Sequence, residues 1–222
     1  LLKPGYTLVE GTGGNIGVGL ALVCAAKGYK CIFAMPKSIA KEKINSMKRY
    51  GASVLLCDSV PFTDRNHYFH VAAKLGEKPN HFFTNQFENL NNGDSHYHTT
   101  GPEIYKALDG KVNGFICAAG TGGTINGVSR FLKSRNKDVV VYLADCAGSG
   151  MYDYLENNKQ NVYTDNLIPQ TKFIKRSDGS SITEGIGIGR LTANFLNAEI
   201  DGAIKVSDVE AVEMAYHLLR ND

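Results

Sequence analysis

The sequence lacks the features that define several large classes of protein. Its 222 residues carry a formal net charge of only +2, with acidic and basic residues interleaved, so no basic stripe is present for a nucleic-acid backbone. No apolar run reaches the length that a bilayer-spanning helix requires. The start of the chain, LLKPGYTLVE, has no basic segment followed by an apolar one, as a signal peptide has. We therefore expect neither nucleic acid nor a membrane as a partner.

Paired cysteine motifs are also missing. The sequence has five cysteines, none of them in a CxxC pair, and each lies in or beside an apolar run. Metal or redox centres usually need such pairs. We therefore expect buried thiols at these positions: Cys24, Cys31, Cys57, Cys117 and Cys146.

The sequence does contain a regular alternation of strand-like and helix-like segments, which is typical of an α/β fold with parallel sheets and crossover helices. The polar segment ENLNNGD at 88–94 predicts a boundary between a smaller α/β domain, 1–92, and a larger one, 93–222. Residues 157–181 are expected to form a loop, and Ser207 with Glu210 predicts a capping box at a helix start. The predicted strands are 7–10, 31–35, 53–57, 82–85, 114–119 and 139–145.

Two glycine-rich loops stand where predicted strands give way to predicted helices. They are EGTGGNIG at 10–17 and GTGGT at 120–124. Glycine lets the backbone approach a ligand, and the unpaired N–H groups at a helix start attract negative charge. One loop is therefore suited to a phosphate and the other to a carboxylate, although the GTGGT loop alone is also compatible with a purely structural turn.

Two other nucleotide-binding interpretations are disfavoured. No GKS or GKT follows either loop, which argues against a P-loop. The first loop matches the TGxxxGxG spacing of short-chain dehydrogenases, but no tyrosine is followed by a lysine four residues on. The next predicted strand ends in Pro36 and Lys37 instead of the acid that binds a ribose hydroxyl.

An HxH pair raises the question of a metal. On a strand, His96 and His98 would project to one side and could bind zinc. No third ligand is evident nearby, and the sequence continues into TTGPEI as a helix would. We therefore predict a helix start here and no metal site.

Six segments follow one another in the order of a known family: EGTGGNIG, MPKSIAKEKINSMKRYGA, NQFEN, HYHTTGPEI, GTGGTINGV and EGIGIGR. Together they resemble the cysteine synthase (O-acetylserine sulfhydrylase) and cystathionine β-synthase family of pyridoxal-phosphate enzymes. The HYxTTGPEI segment is typical of the sulfhydrylase branch.

The resemblance implies the tryptophan synthase β-subunit-like fold, fold type II, with two open, mostly parallel sheets that are incomplete at both ends. It implies pyridoxal 5′-phosphate as cofactor and β-replacement as the reaction, in which O-acetylserine or serine and sulfide give L-cysteine. It also implies a homodimer in the cytoplasm or the mitochondria.

The resemblance assigns roles to individual residues. The phosphate of the cofactor would lie on the GTGGT loop, and an asparagine of the first loop would hydrogen-bond the ring hydroxyl of the cofactor. The substrate carboxylate would lie on the first loop, and a glycine of EGIG would line the site near the amino group of the substrate. The cofactor-binding residues are thus Asn15, Gly120, Thr121, Gly122, Gly123 and Thr124, and the substrate-binding residues are Thr12, Gly13, Gly14, Ile16, Gln86 and Gly185.

Two departures from the family leave alternatives open. Gly13 and Ile16 stand where the family usually has Ser and Thr, so two hydroxyl donors to the carboxylate are missing. The Schiff-base lysine is expected upstream of residue 1, in an SxKDR-type motif that is absent here, so we expect the chain to be the middle of a longer protein. A non-catalytic relative and a serine or threonine dehydratase remain alternatives to the synthase.

Overall fold

The computed structural model describes residues 2–157 and 160–221. The chain divides into two compact units between Gln86 and Phe87, a few residues before the predicted boundary at 92–93. The assignment of substrate to the first domain and cofactor phosphate to the second stays a prediction.

Unit 1 is a parallel sheet with the strand order β3-β2-β1-β4. Strand β1 pairs with β2 on one side and with β4 on the other. Strands β2 and β3 are therefore added to one side of β1 and β4 to the other, so the strand order reverses beside β1. Ligands of open α/β sheets bind at the carboxyl ends of strands at such a switch point. The elements are β1 (Thr7–Gly11), α1 (Asn15–Lys27), β2 (Lys30–Pro36), α2 (Lys41–Arg49), β3 (Ser53–Cys57), α3 (Tyr68–Gly76) and β4 (His81–Phe83).

Both faces of the unit 1 sheet are covered. Successive side chains of a strand point to opposite faces, and buried Leu8 and Val9 of β1 belong to different core clusters. Leu8 packs in the cluster that includes Met47 of α2, whereas Val9 packs in the cluster that includes Ala72 of α3. This two-sided burial explains why the strands are nearly continuous apolar runs.

Unit 2 contains a second parallel sheet, with the strand order β5-β6-β9, and a separate hairpin of β7 and β8. Helix α6 is its central core element, with Ile125, Val128 and Leu132 buried in one cluster with the strand residues Val141 and Leu143. The elements are α4 (Asn91–His98), α5 (Thr100–Ala107), β5 (Gly114–Cys117), α6 (Gly123–Arg135), β6 (Val140–Asp145), α7 (Met151–Glu156), β7 (Val162–Asp165), β8 (Ile168–Ile174), α8 (Ala193–Leu196), β9 (Gly202–Lys205) and α9 (Asp208–Asn221).

The hairpin of β7 and β8 shows that the loop predicted over 157–181 is wrong, and residues 158 and 159 of that prediction lie outside the described residues. Strands β7 and β8 pair antiparallel, and the rings of Tyr163 and Phe173 stack with their centroids 5.6 Å apart. A two-residue connection follows Asp165, whose carboxylate accepts a hydrogen bond from the backbone N–H of Leu167 at 2.7 Å. The missed signal is the Asp165–Asn166 pair at the turn, between two short runs that contain β-branched and aromatic residues.

The predicted capping box is confirmed, whereas a second local prediction is not. Ser207 and Glu210 form the capping box of α9, with the backbone N–H of Ser207 donating to Glu210 Oε2 at 2.8 Å and the backbone N–H of Glu210 donating to Ser207 Oγ at 3.2 Å. The helix start predicted at His96 and His98 is wrong, because both histidines lie in the last turn of α4, which begins at Asn91. In the described part of the chain, no helix combines the length and the apolar character needed to cross a membrane.

The cysteines are free thiols, as expected. Four of them are buried and Cys117 is half-buried. Burial raises the pKa of the Cys31 thiol to about 12, so this group stays protonated at neutral pH and is a poor nucleophile.

Candidate active site

The GTGGT loop lies between β5 and α6 and presents unpaired donors. Within residues 2–157 and 160–221, no hydrogen bond is made by the backbone N–H groups of Gly120, Thr121, Gly122, Thr124 and Ile125. The first turn of α6 contains no acidic residue. Free N–H groups and the positive end of a helix dipole together favour a bound anion.

The loop is held in shape by the short helix α8 and the residues around it. The buried hydroxyl of Thr192 donates a hydrogen bond to the carbonyl oxygen of Thr121 at 2.7 Å. Gly122 has a φ of +86°, and a Cβ atom at this position would lie 2.6 Å from the backbone nitrogen of Phe195. The backbone of α8 therefore leaves room only for glycine at position 122.

Two threonine hydroxyls flank the loop. Thr121 Oγ1 accepts a hydrogen bond from Asn92 Nδ2 at 3.1 Å and another from the backbone N–H of Gly123 at 3.3 Å. Thr124 Oγ1 lies 3.2 Å from His96 Nε2. Both threonines are half-buried.

The predicted EGIG residue Gly185 lies against this loop. Gly120 packs so closely on the carbonyl oxygen of Gly185 that a Cβ atom at position 120 would collide with it. The backbone N–H of Gly187 also donates to the carbonyl oxygen of Ala119 at 2.9 Å. The structure thus brings together two segments that are more than sixty residues apart in the sequence.

The first glycine-rich loop lies at the switch point of the unit 1 sheet, between β1 and α1. Thr12 is buried, and its Oγ1 accepts a hydrogen bond from the backbone N–H of Gly14 at 3.0 Å. In the described ranges, the backbone N–H groups of Gly13, Asn15 and Ile16 make no hydrogen bond. This helix start is a second anion-binding geometry.

The side chains at this loop are open to solvent. Asn15, the first residue of α1, is exposed, and Ile16 is 38% exposed. A Cβ atom added to Gly13 would have no other atom within 4 Å. The loop therefore has room at the two positions where this chain departs from the family pattern.

Lys43 also lies at this loop, although it is not among the site residues predicted from the sequence. Its Cδ lies 2.6 Å, and its Nζ 3.4 Å, from the position that a Cβ of Gly14 would take. An ammonium group beside the start of α1 strengthens the attraction of this loop for an anion. The signal in the sequence was the EK pair of the MPKSIAKEKINSMKRYGA segment.

Glu10 is a fully buried carboxylate beneath the same loop. It accepts hydrogen bonds from the backbone N–H of Gly11 at 2.9 Å, from the Thr84 hydroxyl and from the backbone N–H of Gln86 at 3.1 Å. The side-chain nitrogen of Gln86 donates to the carbonyl oxygen of Gly11 at 2.7 Å. Gln86 thus lies beside the first glycine-rich loop and its amide nitrogen donates to groups of unit 1, while its role in substrate binding stays a prediction.

Burial raises the pKa of Glu10 from 4.5 to about 6, against the opposing effect of hydrogen bonds from Thr84, Gln86 and Gly11. Between these two values the native state holds the proton more tightly than the unfolded state. We expect the free energy of unfolding to fall by roughly 1 kcal/mol as the pH rises from 4.5 to 6, and by roughly 2 kcal/mol in total from well below 4.5 to well above 6. Urea denaturation across this range measures the slope.

The matched comparison uses two glutamate-to-glutamine variants. Glu10→Gln removes the titrating group and is expected to remove this contribution to the slope. Glu77→Gln, at an exposed position after α3, should leave it unchanged. Equal slopes for wild type and Glu10→Gln would show that Glu10 does not titrate in this window.

Comparison with known proteins identifies the family. The model of the family described as pyridoxal-phosphate dependent enzyme matches residues 2–222. The chain therefore belongs to the pyridoxal-phosphate dependent enzymes. This membership confirms the cofactor predicted from the sequence.

The relatives within this family are cysteine synthases. The chain is 43% identical to cysteine synthase 1 of Neurospora crassa, over 99% of this chain and 56% of that protein. It is 41% identical to cysteine synthase 1 of Emericella nidulans, over 99% of this chain and 57% of that protein. The chain thus spans little more than half the length of these relatives.

Solved structures confirm the predicted fold. A hydrogen sulfide-producing enzyme from Fusobacterium nucleatum superimposes with a TM-score of 0.80 at 29% identity, covering 100% of this chain and 68% of that one. An O-acetylserine dependent cystathionine β-synthase from Helicobacter pylori gives a TM-score of 0.77 at 29% identity, covering 98% of this chain and 63% of that one.

The residues of the GTGGT loop fit the phosphate of pyridoxal phosphate. A dianionic phosphate needs several donors and no nearby carboxylate, and this loop offers free N–H groups, two hydroxyls and a helix start without an acidic residue. The close packing of Gly122 on Phe195 and of Gly120 on Gly185 keeps side chains out of the loop.

Proposed function

We propose that the protein to which this chain belongs makes L-cysteine by β-replacement, from O-acetylserine or serine and sulfide. The observation that carries the proposal is the pair of helix starts with free N–H groups, one at the GTGGT loop and one at the switch point of unit 1. The names of the relatives, cysteine synthases, support the choice of reaction.

In this proposal the GTGGT loop binds the cofactor phosphate through Gly120, Thr121, Gly122, Gly123 and Thr124. Bound pyridoxal phosphate supplies an electron sink for chemistry at the α- and β-carbons of an amino acid. The loop anchors and orients the cofactor. Its N–H groups make no internal hydrogen bond, so they need no rearrangement to bind the phosphate.

The first loop, in the same proposal, holds the substrate carboxylate. Thr12, Gly13, Gly14 and Ile16 supply the loop, with Gln86 beside it, Gly185 lines the site near the amino group, and Asn15 hydrogen-bonds the ring hydroxyl of the cofactor. The open N–H groups of Gly13 and Ile16 and the nearby Lys43 ammonium support carboxylate binding. We place the Schiff-base lysine in a part of the protein outside this chain.

The experiment is spectroscopic and uses the full-length protein. We expect the loaded enzyme to absorb near the visible edge, the band to shift on addition of O-acetylserine, and cysteine to form when sulfide follows. No shift in a sample that contains bound cofactor would favour a non-catalytic relative. Release of a 2-oxoacid and ammonia without sulfide would identify a dehydratase.

We also propose that the protein is a homodimer that works in the cytoplasm or the mitochondria and binds a small amino acid and sulfide. Sedimentation of the full-length protein tests the oligomeric state, and a monomer at assay concentration would refute it. Fractionation of the source cells tests the compartment.

A further inference from the structure

The imidazole ring of His96 joins two threonine hydroxyls. Its Nδ1 lies 2.8 Å from Thr100 Oγ1, and its Nε2 lies 3.2 Å from Thr124 Oγ1. The ring is half-buried, and burial lowers the pKa of His96. The imidazole is therefore neutral at physiological pH, so only one of its nitrogens carries a hydrogen.

The choice of nitrogen determines what Thr124 offers to a ligand. If Nε2 is unprotonated, it accepts the hydrogen of the Thr124 hydroxyl. The ligand then faces only the lone pairs of the Thr124 oxygen. If Nε2–H donates, the Thr124 hydroxyl hydrogen is free to turn toward the ligand. Because Thr124 is the second residue of α6, among N–H groups with no partner in the described chain, an anion there favours the second arrangement.

The surroundings of Thr121, on the other side of the loop, also leave its hydroxyl hydrogen available to a ligand. Its oxygen receives hydrogen bonds from Asn92 Nδ2 and from the backbone N–H of Gly123. An oxygen that accepts two hydrogen bonds keeps its own hydrogen for a further acceptor. The surroundings of both threonines thus favour hydroxyls that donate.

We propose that His96 is a positioning residue for the cofactor phosphate. The Thr100 hydroxyl donates to Nδ1, the Nε2–H of His96 donates to Thr124 Oγ1, and the Thr124 hydroxyl donates to the phosphate. The relay rests on the proposed function, because it requires the phosphate on the GTGGT loop. His96 itself does not touch the cofactor.

A double-mutant cycle on the full-length protein tests the relay. The measurement is the dissociation constant of pyridoxal phosphate, obtained by titrating the apoprotein. Thr124→Val removes a hydrogen bond to a charged group and should weaken binding about tenfold, whereas His96→Leu leaves that hydroxyl without the donor that orients it and should weaken binding by up to the same factor. Because His96 acts through Thr124, the double variant should bind no more than about twofold more weakly than Thr124→Val alone. If the double variant loses affinity by the product of the two single-variant factors, the two residues act independently and the relay is wrong.

Two further variants separate positioning from packing. Glutamine carries an amide N–H near the place of the histidine Nε2–H, so His96→Gln should stay within about threefold of wild type. His98→Gln is the matched control, since His98 is an exposed histidine of the same helix, and should bind like wild type. A loss with His96→Gln as large as with His96→Leu would indicate a packing role only.

Nitrogen-15 NMR of the loaded protein reads the tautomer directly. The His96 signals, assigned by their absence in His96→Gln, should show a protonated Nε2 and an unprotonated Nδ1. The opposite tautomer overturns the relay even if His96→Leu does not fold. Thr100→Val offers a second check, because loss of the donor to Nδ1 should weaken cofactor binding severalfold.

The relay and the proposed function can fail separately. If wild type does not bind pyridoxal phosphate, or binds it without involving Thr124, the proposed phosphate site is wrong. If wild type and Thr124→Val behave as expected while His96→Leu binds like wild type, only the relay is wrong.

Discussion

Thr124→Asp is expected to lower the affinity for pyridoxal phosphate at least a hundredfold while leaving the apoprotein folded. The new carboxylate would face the phosphate dianion at the start of α6, and two like charges about 4 Å apart repel by about 4 kcal/mol at the effective dielectric constant of a protein surface. The same carboxylate lies in the first turn of a helix, where it favours the helix by about 0.3–1 kcal/mol. The two measurements, cofactor affinity and apoprotein stability, should therefore move in different directions.

Thr124→Asn is the matched control for charge. Asparagine has the shape of aspartate without its charge, so its loss of affinity should stay near the tenfold expected for one lost hydroxyl. Equal affinity for the Asp and Asn variants would mean that no anion binds at this loop. Gly122→Asp is a poorer test, since any Cβ at position 122 would lie 2.6 Å from the backbone nitrogen of Phe195.

Restoring the missing hydroxyls of the substrate loop should tighten the binding of O-acetylserine. Ile16→Thr places a hydroxyl on an exposed residue at the start of α1, and Gly13→Ser places one where the structure leaves space. A hydrogen bond to a charged group contributes about 1.5–3 kcal/mol, so each change is expected to tighten binding roughly tenfold or more. The shift of the cofactor absorbance of the full-length enzyme measures the dissociation constant.

Each of these variants has a partner that adds the carbon atoms without the hydroxyl. Ile16→Val keeps a β-branched side chain of the size of threonine, and Gly13→Ala adds only a methyl group. If Thr and Val at position 16 give equal affinities, the gain does not come from a hydrogen bond, and the carboxylate lies elsewhere.

The strands and the two glycine-rich loops could be predicted because their signals are local. Each strand of the parallel sheets is a short apolar run between helical segments, and glycines mark the turns that follow β1 and β5. The capping box of α9 is equally local, since Ser207 and Glu210 are three residues apart. The order of six motifs then indicated the family without any three-dimensional information.

The features that escaped prediction depend on contacts between distant residues. The sequence gives no hint that Glu10 meets Thr84 and Gln86, or that Gly185 packs on Gly120. His96 looked like part of a metal pair or a helix start, and only the packing of α4 beside α6 places its ring on Thr124. Hairpin β7–β8 escaped because a two-residue turn and short strands give a weak pattern among polar residues.

Strand β4 reaches β1 only after the chain has passed through β2 and β3. Glu10 therefore meets its partners Thr84 and Gln86 across separations of 74 and 76 residues. Contacts of such long range form late in folding, because the entropy of closing a large loop is lost before the contacts can stabilise the chain. A destabilising substitution in β4 that leaves the final structure intact should therefore speed unfolding more than it slows refolding, which stopped-flow measurements of both rates would show.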